Sequence, residues 1–154
     1  MTRSSVGGIS YPAFAGAWAA LLLSAPILAS WSVTRPVAGM TYVMGSVICH
    51  QLTARSFHVG DLQLPVCARC LGLYAGAVIG ALVSGWSRSG DASRDRVRRW
   101  RLAMMAATIP TVATLVVEWL TIAQPSNGIR FAAALPLGIA AAWLLADVVR
   151  GHLR

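Results

Sequence analysis

The chain has 154 residues, of which 56% are hydrophobic and only 12% are charged, and its mean hydropathy is +0.64. A soluble domain carries about a quarter charged residues, so this composition excludes an ordinary soluble protein and predicts a membrane protein. The net charge is +8 and all 13 basic residues are arginines. These arginines lie between apolar runs rather than on a soluble face, so we expect no binding of nucleic acid.

Four apolar runs reach the length of about 20 residues that a transmembrane helix needs. They cover residues 12–31, 67–86, 102–122 and 131–149. A fifth run, at residues 37–49, is too short to cross a bilayer and is typical of a re-entrant or interfacial helix. The sequence therefore predicts an all-α membrane protein that forms a single integral domain over residues 1–154. It has four transmembrane helices and one short helix.

The distribution of arginines predicts the orientation in the membrane. Six arginines lie in the basic connection at residues 87–101, and three more lie near the termini (Arg3, Arg150 and Arg154), whereas the other connections carry four. Because arginine is enriched on the cytoplasmic side of membrane proteins, we expect both termini and the basic loop in the cytoplasm. The segment that contains the cysteines then faces outward.

Glycines recur at every fourth residue in the second predicted span, at Gly72, Gly76 and Gly80. This spacing places them on one face of a helix, where small residues let two helix backbones approach closely within lipid. The face is expected to pack against another helix, either of this chain or of a second subunit in a homo-oligomer or membrane complex.

Two cysteines, Cys67 and Cys70, follow Pro65 at the predicted start of the second span. Residues three apart share one face of a helix, so both sulfurs should point the same way. The unpaired N–H groups of a helix start and the nearby Arg69 both favour thiolate over thiol. Thiolate is the form of cysteine that binds metals and attacks disulfides.

A third cysteine, Cys49, is followed by His50 and lies 18 residues before Cys67. Three thiolates and one imidazole form a tetrahedral site of the kind that zinc takes, with His58 as an alternative fourth ligand. Three other interpretations remain open: buried free thiols, a structural disulfide that leaves one thiol over, or a redox-active pair formed by Cys67 and Cys70. The clustering of three cysteines with two histidines disfavours the first.

One acidic residue, Glu118, lies inside the third span, where an ionisable side chain is costly and points to function. The alternative is a side chain that reaches the interface beside Trp119. Arginine cannot lose its proton, so an arginine near such a site needs an anionic partner, and it can recognise carboxylate, phosphate or a lipid head group. The candidate ligand-binding residues are Arg55, Ser56, Arg69, Glu118, Asn127 and Arg130.

A motif of the form Cys-His-Gln, then Arg-Ser, then Cys-x-Arg-Cys-x-Gly-x-Tyr consists here of Cys49, His50, Gln51, Arg55, Ser56, Cys67, Arg69, Cys70, Gly72 and Tyr74. With this motif the chain resembles a bacterial family of small membrane proteins of unknown function. A later Ser-Asn-x-x-Arg motif of that family matches Ser126, Asn127 and Arg130, and its acidic position in the third span matches Glu118. The resemblance covers about residues 37–145, but residues 132–135 replace glycines that are expected in the last helix. It implies a multi-pass protein of the bacterial inner membrane, with no assigned activity.

The leading functional hypothesis is an outward-facing structural zinc site that orders a polar pocket for an anionic ligand or a lipid head group. Its metal ligands would be Cys49, His50, Cys67 and Cys70. The first alternative is a membrane thiol–disulfide catalyst that uses Cys67 and Cys70, and the second is a structural subunit of a membrane complex. Whether the protein is an enzyme is left open.

Overall fold

The computed structural model describes residues 6–84 and 94–149. The described elements are, in chain order, α1 (Val6–Ser30), α2 (Arg35–Ile48), a 3-10 turn (Thr53–Arg55), β1 (Ser56–Val59), β2 (Leu62–Cys67), α3 (Ala68–Ser84), α4 (Arg94–Trp119) and α5 (Asn127–Val149). The protein is thus mostly helical, as the sequence predicts.

Three of the described helices are long and apolar enough to cross a membrane, at Tyr11–Ser30, Val97–Trp119 and Asn127–Val149. Helix α3 is apolar but has only 17 residues. At 1.5 Å per residue it is about 25 Å long, slightly less than a typical hydrocarbon core of about 30 Å. The helices therefore have the character of a membrane protein, whereas a transmembrane role for α3, the second predicted span, stays a prediction.

The predicted basic loop at residues 87–101 is helical in its second half, because α4 begins at Arg94. Its first part and the terminal arginines Arg3, Arg150 and Arg154 lie outside the described residues. The short helix begins at Arg35 rather than at residue 37, with a proline in its first turn, where the missing N–H group costs nothing. It ends one residue before Cys49.

A β-hairpin occupies residues 56–67, where the sequence analysis expected a loop and the start of a helix. Strands β1 and β2 are antiparallel and pair Ser56 with Cys67 and His58 with Gln63. The turn contains Gly60, whose φ of 61° is a conformation that glycine adopts without strain. Because β2 extends to Cys67, this cysteine precedes α3 instead of lying in its first turn, which corrects the prediction.

Helix α3 packs in parallel along α5 through the glycine face. A Cβ atom added at any glycine of this face would collide with a carbonyl oxygen of α5; the pairs are Gly72 with Phe131, Gly76 with Leu135 and Gly80 with Ile139. From the other side, a Cβ atom added at Gly138 of α5 would likewise collide with the carbonyl oxygen of Leu73. The glycine face is therefore covered within the chain, and the predicted use of this face by an oligomer or complex partner is wrong. Gly138 also provides a close-packing glycine in the last helix, outside residues 132–135.

Helix α4 runs antiparallel to α5. Near one end of the pair Glu118 contacts Arg130, in the middle the hydroxyl of Thr111 donates to the carbonyl oxygen of Ala133 at 2.9 Å, and near the other end Trp100 Nε1 donates to Asp147 at 3.2 Å. The start of α3, the end of α4 and the start of α5 consequently meet at one end of the bundle. A buried cluster, Leu22, Cys49, Leu64, Val66 and Leu71, joins α1 and the hairpin to this end.

Candidate functional site

The three cysteines come from three different elements and converge at this end of the bundle. Cys49 is the first residue after α2, Cys67 is the last residue of β2, and Cys70 lies in the first turn of α3. Their sulfur atoms all lie within 4.8 Å of one another. This distance allows a single metal ion to contact all three sulfurs.

The sulfurs are held as free thiols in a partly enclosed environment. Cys49 is buried and the other two cysteines are half-buried. The backbone nitrogen of Cys67 donates a hydrogen bond to the sulfur of Cys49 at 3.1 Å. The pKa of the Cys67 thiol is lowered to about 5, chiefly because its sulfur accepts a hydrogen bond from the Cys70 side chain, while burial acts in the opposite direction. The contact with Cys70 therefore favours the thiolate form of Cys67.

Neither predicted histidine ligand lies in the sulfur cluster. In the part of the chain that the structure describes, the group contains only the three cysteines. Cys49 has extended backbone angles, φ −143° and ψ 136°, so its side chain and that of the next residue point in opposite directions. His50 is exposed and lines a cavity that Cys49 and Cys67 also line, and His58 is exposed on β1.

Beside the sulfurs, three arginines converge on one carboxylate. The Glu118 side chain is only 2% exposed and contacts Arg55 Nε at 3.0 Å, Arg69 Nη2 at 2.5 Å and Arg130 Nη2 at 2.9 Å. The side chains of Arg69 and Arg130 are 14% and 6% exposed, whereas Arg55 is more open at 39%. All three predicted partners therefore bind Glu118 together, and they leave the group with two excess positive charges.

A cavity of about 270 Å³ connects the two groups of residues. It is lined by Cys49, His50, Gln51, Leu52, Arg55, Cys67, Arg69 and Arg130. Two of the cysteines and all three arginines thus line the same space. A cavity with that lining can hold a metal ion and an anion side by side.

Three of the predicted ligand-binding residues, Ser56, Glu118 and Asn127, do not line this cavity. Glu118 binds the three arginines that do, and the other two position residues of the lining. The Asn127 side-chain nitrogen donates to the carbonyl oxygen of Ser56 at 2.9 Å, which ties the start of α5 to the hairpin. The side-chain oxygen of Asn127 accepts a hydrogen bond from Arg130 Nη1 at 2.9 Å. The hydroxyl of Ser56 is buried and donates to the carbonyl oxygen of Leu52 at 3.0 Å.

The sequence analysis gave no role to Gln51, which fixes the connection between α2 and the hairpin. Its side-chain nitrogen donates to the carbonyl oxygens of Tyr42, at 2.8 Å, and Pro65, at 2.7 Å, while its own carbonyl oxygen accepts from Gln63 at 3.0 Å. Its φ of 48° turns the chain directly after the Cys-His pair. The only sequence signal for this role is its place in the Cys-His-Gln motif.

The chain is similar to known proteins, and the family that it matches is one of predicted membrane proteins. The uncharacterized protein MJ1492 of Methanocaldococcus jannaschii is 30% identical over 90 residues, which are 58% of this chain and 56% of that protein. The match thus spans little more than half the length of this relative, and because the relative is archaeal, the similarity is not confined to bacteria. No solved structure matches the chain. A family model described as "Predicted membrane protein (DUF2085)" matches residues 49–144, which is more than half of the chain and includes the site, and the chain therefore belongs to this family.

Proposed function

We propose that the protein binds a metal ion, zinc in the simplest case, through Cys49, Cys67 and Cys70, and that this metal orders a pocket for an anionic ligand. The observation that carries the proposal is the approach of three sulfurs to within 4.8 Å of one another, beside an arginine-lined cavity to whose wall Cys49 and Cys67 contribute. Thiolate ligands favour soft or borderline metals, of which Zn²⁺ is the usual structural one.

A metal at this position would order the connection between α2 and α3. That connection contains only a 3-10 turn and two strands of four and six residues, and a two-stranded hairpin is marginally stable on its own. Its two ends are marked by Cys49 and Cys67. An ion that binds both cysteines closes the connection into a fixed loop, so metal binding contributes directly to folding.

The charges around the cavity favour an anionic ligand. Three arginines face one glutamate, which leaves a charge of +2 in a largely buried group. Three thiolates with Zn²⁺ carry a charge of −1, so the combined site is at +1. Buried charge is costly unless it is paired, and an anion in the cavity supplies the missing partner.

The site faces outward in this proposal. Helix α3 crosses the membrane as the second of four spans. The chain is a multi-pass protein of the inner membrane, and both of its termini are cytoplasmic. The packing order supports this arrangement, because α3, α4 and α5 alternate in direction and the site lies at one end of all three. Arg98, Arg99 and Arg101 belong to the opposite end of α4.

Elemental analysis of the detergent-purified protein, combined with a thiol count under non-reducing conditions, tests the proposal. We expect about one equivalent of zinc per chain and three thiols that react with a thiol reagent only after a chelator is added. Less than about a tenth of an equivalent of any transition metal, with thiols that label freely, contradicts it.

A second candidate is a membrane thiol–disulfide catalyst that uses Cys67 and Cys70. It is favoured by one observation: both thiols are only half-buried and lie close enough for exchange. In a catalytic pair, replacement of the second cysteine traps a mixed disulfide at the first. The variant Cys70→Ser should then accumulate partner-linked Cys67 in cells, whereas under the metal proposal no such adduct forms.

A further inference from the structure

Three sulfur ligands leave one position of a tetrahedral metal site open. In residues 6–84 and 94–149 no histidine, aspartate, glutamate or further cysteine joins the sulfur group. Cys49 packs into the core on its other side, while Cys49 and Cys67 both contribute to the wall of the cavity. The open position is therefore reached from the cavity, and a ligand bound there can complete the coordination.

The three arginines that line the cavity carry more hydrogen-bond donors than the single carboxylate of Glu118 can accept. The Nε–H groups of Arg69 and Arg130 are fully buried and lack a hydrogen-bond partner in the described structure, although both side chains bind Glu118 through Nη2. Buried donors without a partner are rare, because each one costs stability. These two Nε–H groups are closed off by the surrounding protein, so a group bound in the cavity would use the other N–H donors of the three arginines.

The chemistry of the metal and the arginines selects the kind of anion. A carboxylate that gives one oxygen to a metal keeps a single oxygen for the arginines. A phosphate group keeps at least two further oxygens, and guanidinium groups bind phosphate oxygens through paired N–H donors. Phosphate can therefore bind the metal and two of the arginines at once.

We propose that a phosphate group occupies this cavity, with one oxygen as the fourth ligand of the metal held by Cys49, Cys67 and Cys70, and the others bound by Arg55, Arg69 and Arg130. This inference rests on the proposed metal site and adds the class of ligand and its direct contact with the metal. Both a free phosphate and the phosphate of a membrane lipid have this chemistry.

Cobalt substitution gives a direct readout of the fourth ligand. The purified protein is loaded with Co²⁺, and its visible absorption is recorded during titration with inorganic phosphate and, separately, with acetate. We expect phosphate to change the d–d bands while the sulfur-to-cobalt charge-transfer band persists, and acetate to have no effect at equal concentration.

The variants Arg130→Gln and Arg55→Gln should weaken phosphate binding at least about tenfold with cobalt still bound. Arg55→Gln is included because Arg55 is more exposed, so its replacement still tests the proposal if Arg130→Gln fails to fold. The matched control is Arg35→Gln, which changes an exposed arginine outside the cavity lining and should titrate like the wild type.

The outcomes separate the inference from the proposed function. Absence of cobalt–sulfur absorption overturns both. Cobalt–sulfur absorption with d–d bands that do not respond to phosphate leaves the metal site standing and overturns the inference. The inference is also overturned if acetate acts like phosphate, or if His50→Ala alone changes the d–d bands, because His50 would then be the fourth ligand.

The source of the phosphate is distinguished in nanodiscs without inorganic phosphate. The cobalt protein is compared in phosphatidylcholine discs with and without phosphatidic acid. A band shift that requires phosphatidic acid identifies a membrane lipid as the ligand, and a shift that requires added inorganic phosphate identifies a soluble one. Absence of a shift in both arms contradicts the proposal.

Discussion

The backbone nitrogen of Cys67 donates a hydrogen bond to the sulfur of Cys49 at 3.1 Å. The bond joins the end of β2 to the residue that follows α2, so it holds the two ends of the hairpin segment together before any metal binds. The cluster is therefore partly preorganised, and metal binding requires little rearrangement of the backbone.

Metal removal should destabilise the protein through this same segment. A metal present at about 1,000 times its dissociation constant stabilises the folded state by about 4 kcal/mol, so a chelator should lower the melting temperature in detergent. The variant Cys49→Ser should melt at the chelated temperature, and the chelator should not lower it further. Hydrogen exchange should rise at the amides of β1 and β2 and stay unchanged in α5.

The matched control for metal removal is His58→Ala, which removes an exposed side chain of β1 outside the sulfur group. It should keep the metal and the wild-type response to the chelator. A chelator that leaves the wild-type melting temperature unchanged contradicts a structural metal.

Substitution of Gly76 tests the packing of α3 on α5. A Cβ atom at this position would overlap the carbonyl oxygen of Leu135, which belongs to helix backbone and cannot move aside alone. Gly76→Ala should therefore lower the free energy of unfolding by about 1–3 kcal/mol. Reversible unfolding in mixed micelles measures this change.

The chain offers a matched glycine for comparison at Gly39, a helical position where a Cβ atom meets nothing within 4 Å. Gly39→Ala should leave stability unchanged or raise it by up to about 1 kcal/mol, because alanine favours helix. If both variants unfold alike, the close approach of α3 and α5 is not important for stability.

The helices were predictable because apolar runs of spanning length leave few alternatives in lipid, but the hairpin before α3 was not predicted. The predicted second span begins at residue 67 and the residues before it were expected to form a connection, whereas residues 62–67 form strand β2. The sequence does contain a hairpin signal, since Gly60 and Asp61 separate two short segments of alternating residues. This signal covers only a few residues, so the long apolar runs on both sides of it led to a prediction of helices alone.

The residues of the site were largely identifiable by chemical type, whereas their arrangement was not. The spacing of Cys67 and Cys70 indicates that they lie close together. The direction of the chain after α2, at Cys49, instead involves hydrogen bonds from Gln51 to the carbonyl oxygens of Tyr42 and Pro65. That local geometry directs His50 away from the sulfurs. The pairing of Glu118 with three arginines depends on the packing of α3, α4 and α5, which spacing along the chain does not encode.

Neutralisation of Glu118 tests the charge balance of the arginine group. Glu118→Gln leaves three guanidinium groups around an uncharged amide, and loss of one partner of a buried ion pair costs about 3–5 kcal/mol. We expect a large fall in the free energy of unfolding, measured in the same micelles. Saturating phosphate should stabilise this variant more than the wild type, because the excess of positive charge has increased by one.

The control for this change is Asp61→Asn, which removes an acidic charge from the exposed turn of the hairpin. Its stability should stay within about 0.5 kcal/mol of the wild type. Wild-type stability of Glu118→Gln would show that the three arginines are adequately solvated without their carboxylate.

The outward orientation of the site can be tested with lysine, because the chain contains none. Asp61→Lys places an amine at the exposed hairpin turn near the site, and Arg98→Lys places one on an exposed position at the opposite end of α4. In right-side-out spheroplasts a membrane-impermeant amine-reactive biotin ester should label Asp61→Lys above the background of the unmodified protein, which carries only its N-terminal amine. Arg98→Lys should be labelled only after the membrane is permeabilised, because the excess of arginine keeps this end in the cytoplasm. Labelling of Arg98→Lys but not Asp61→Lys in intact spheroplasts would show the opposite topology, with the cysteine and arginine site in the cytoplasm.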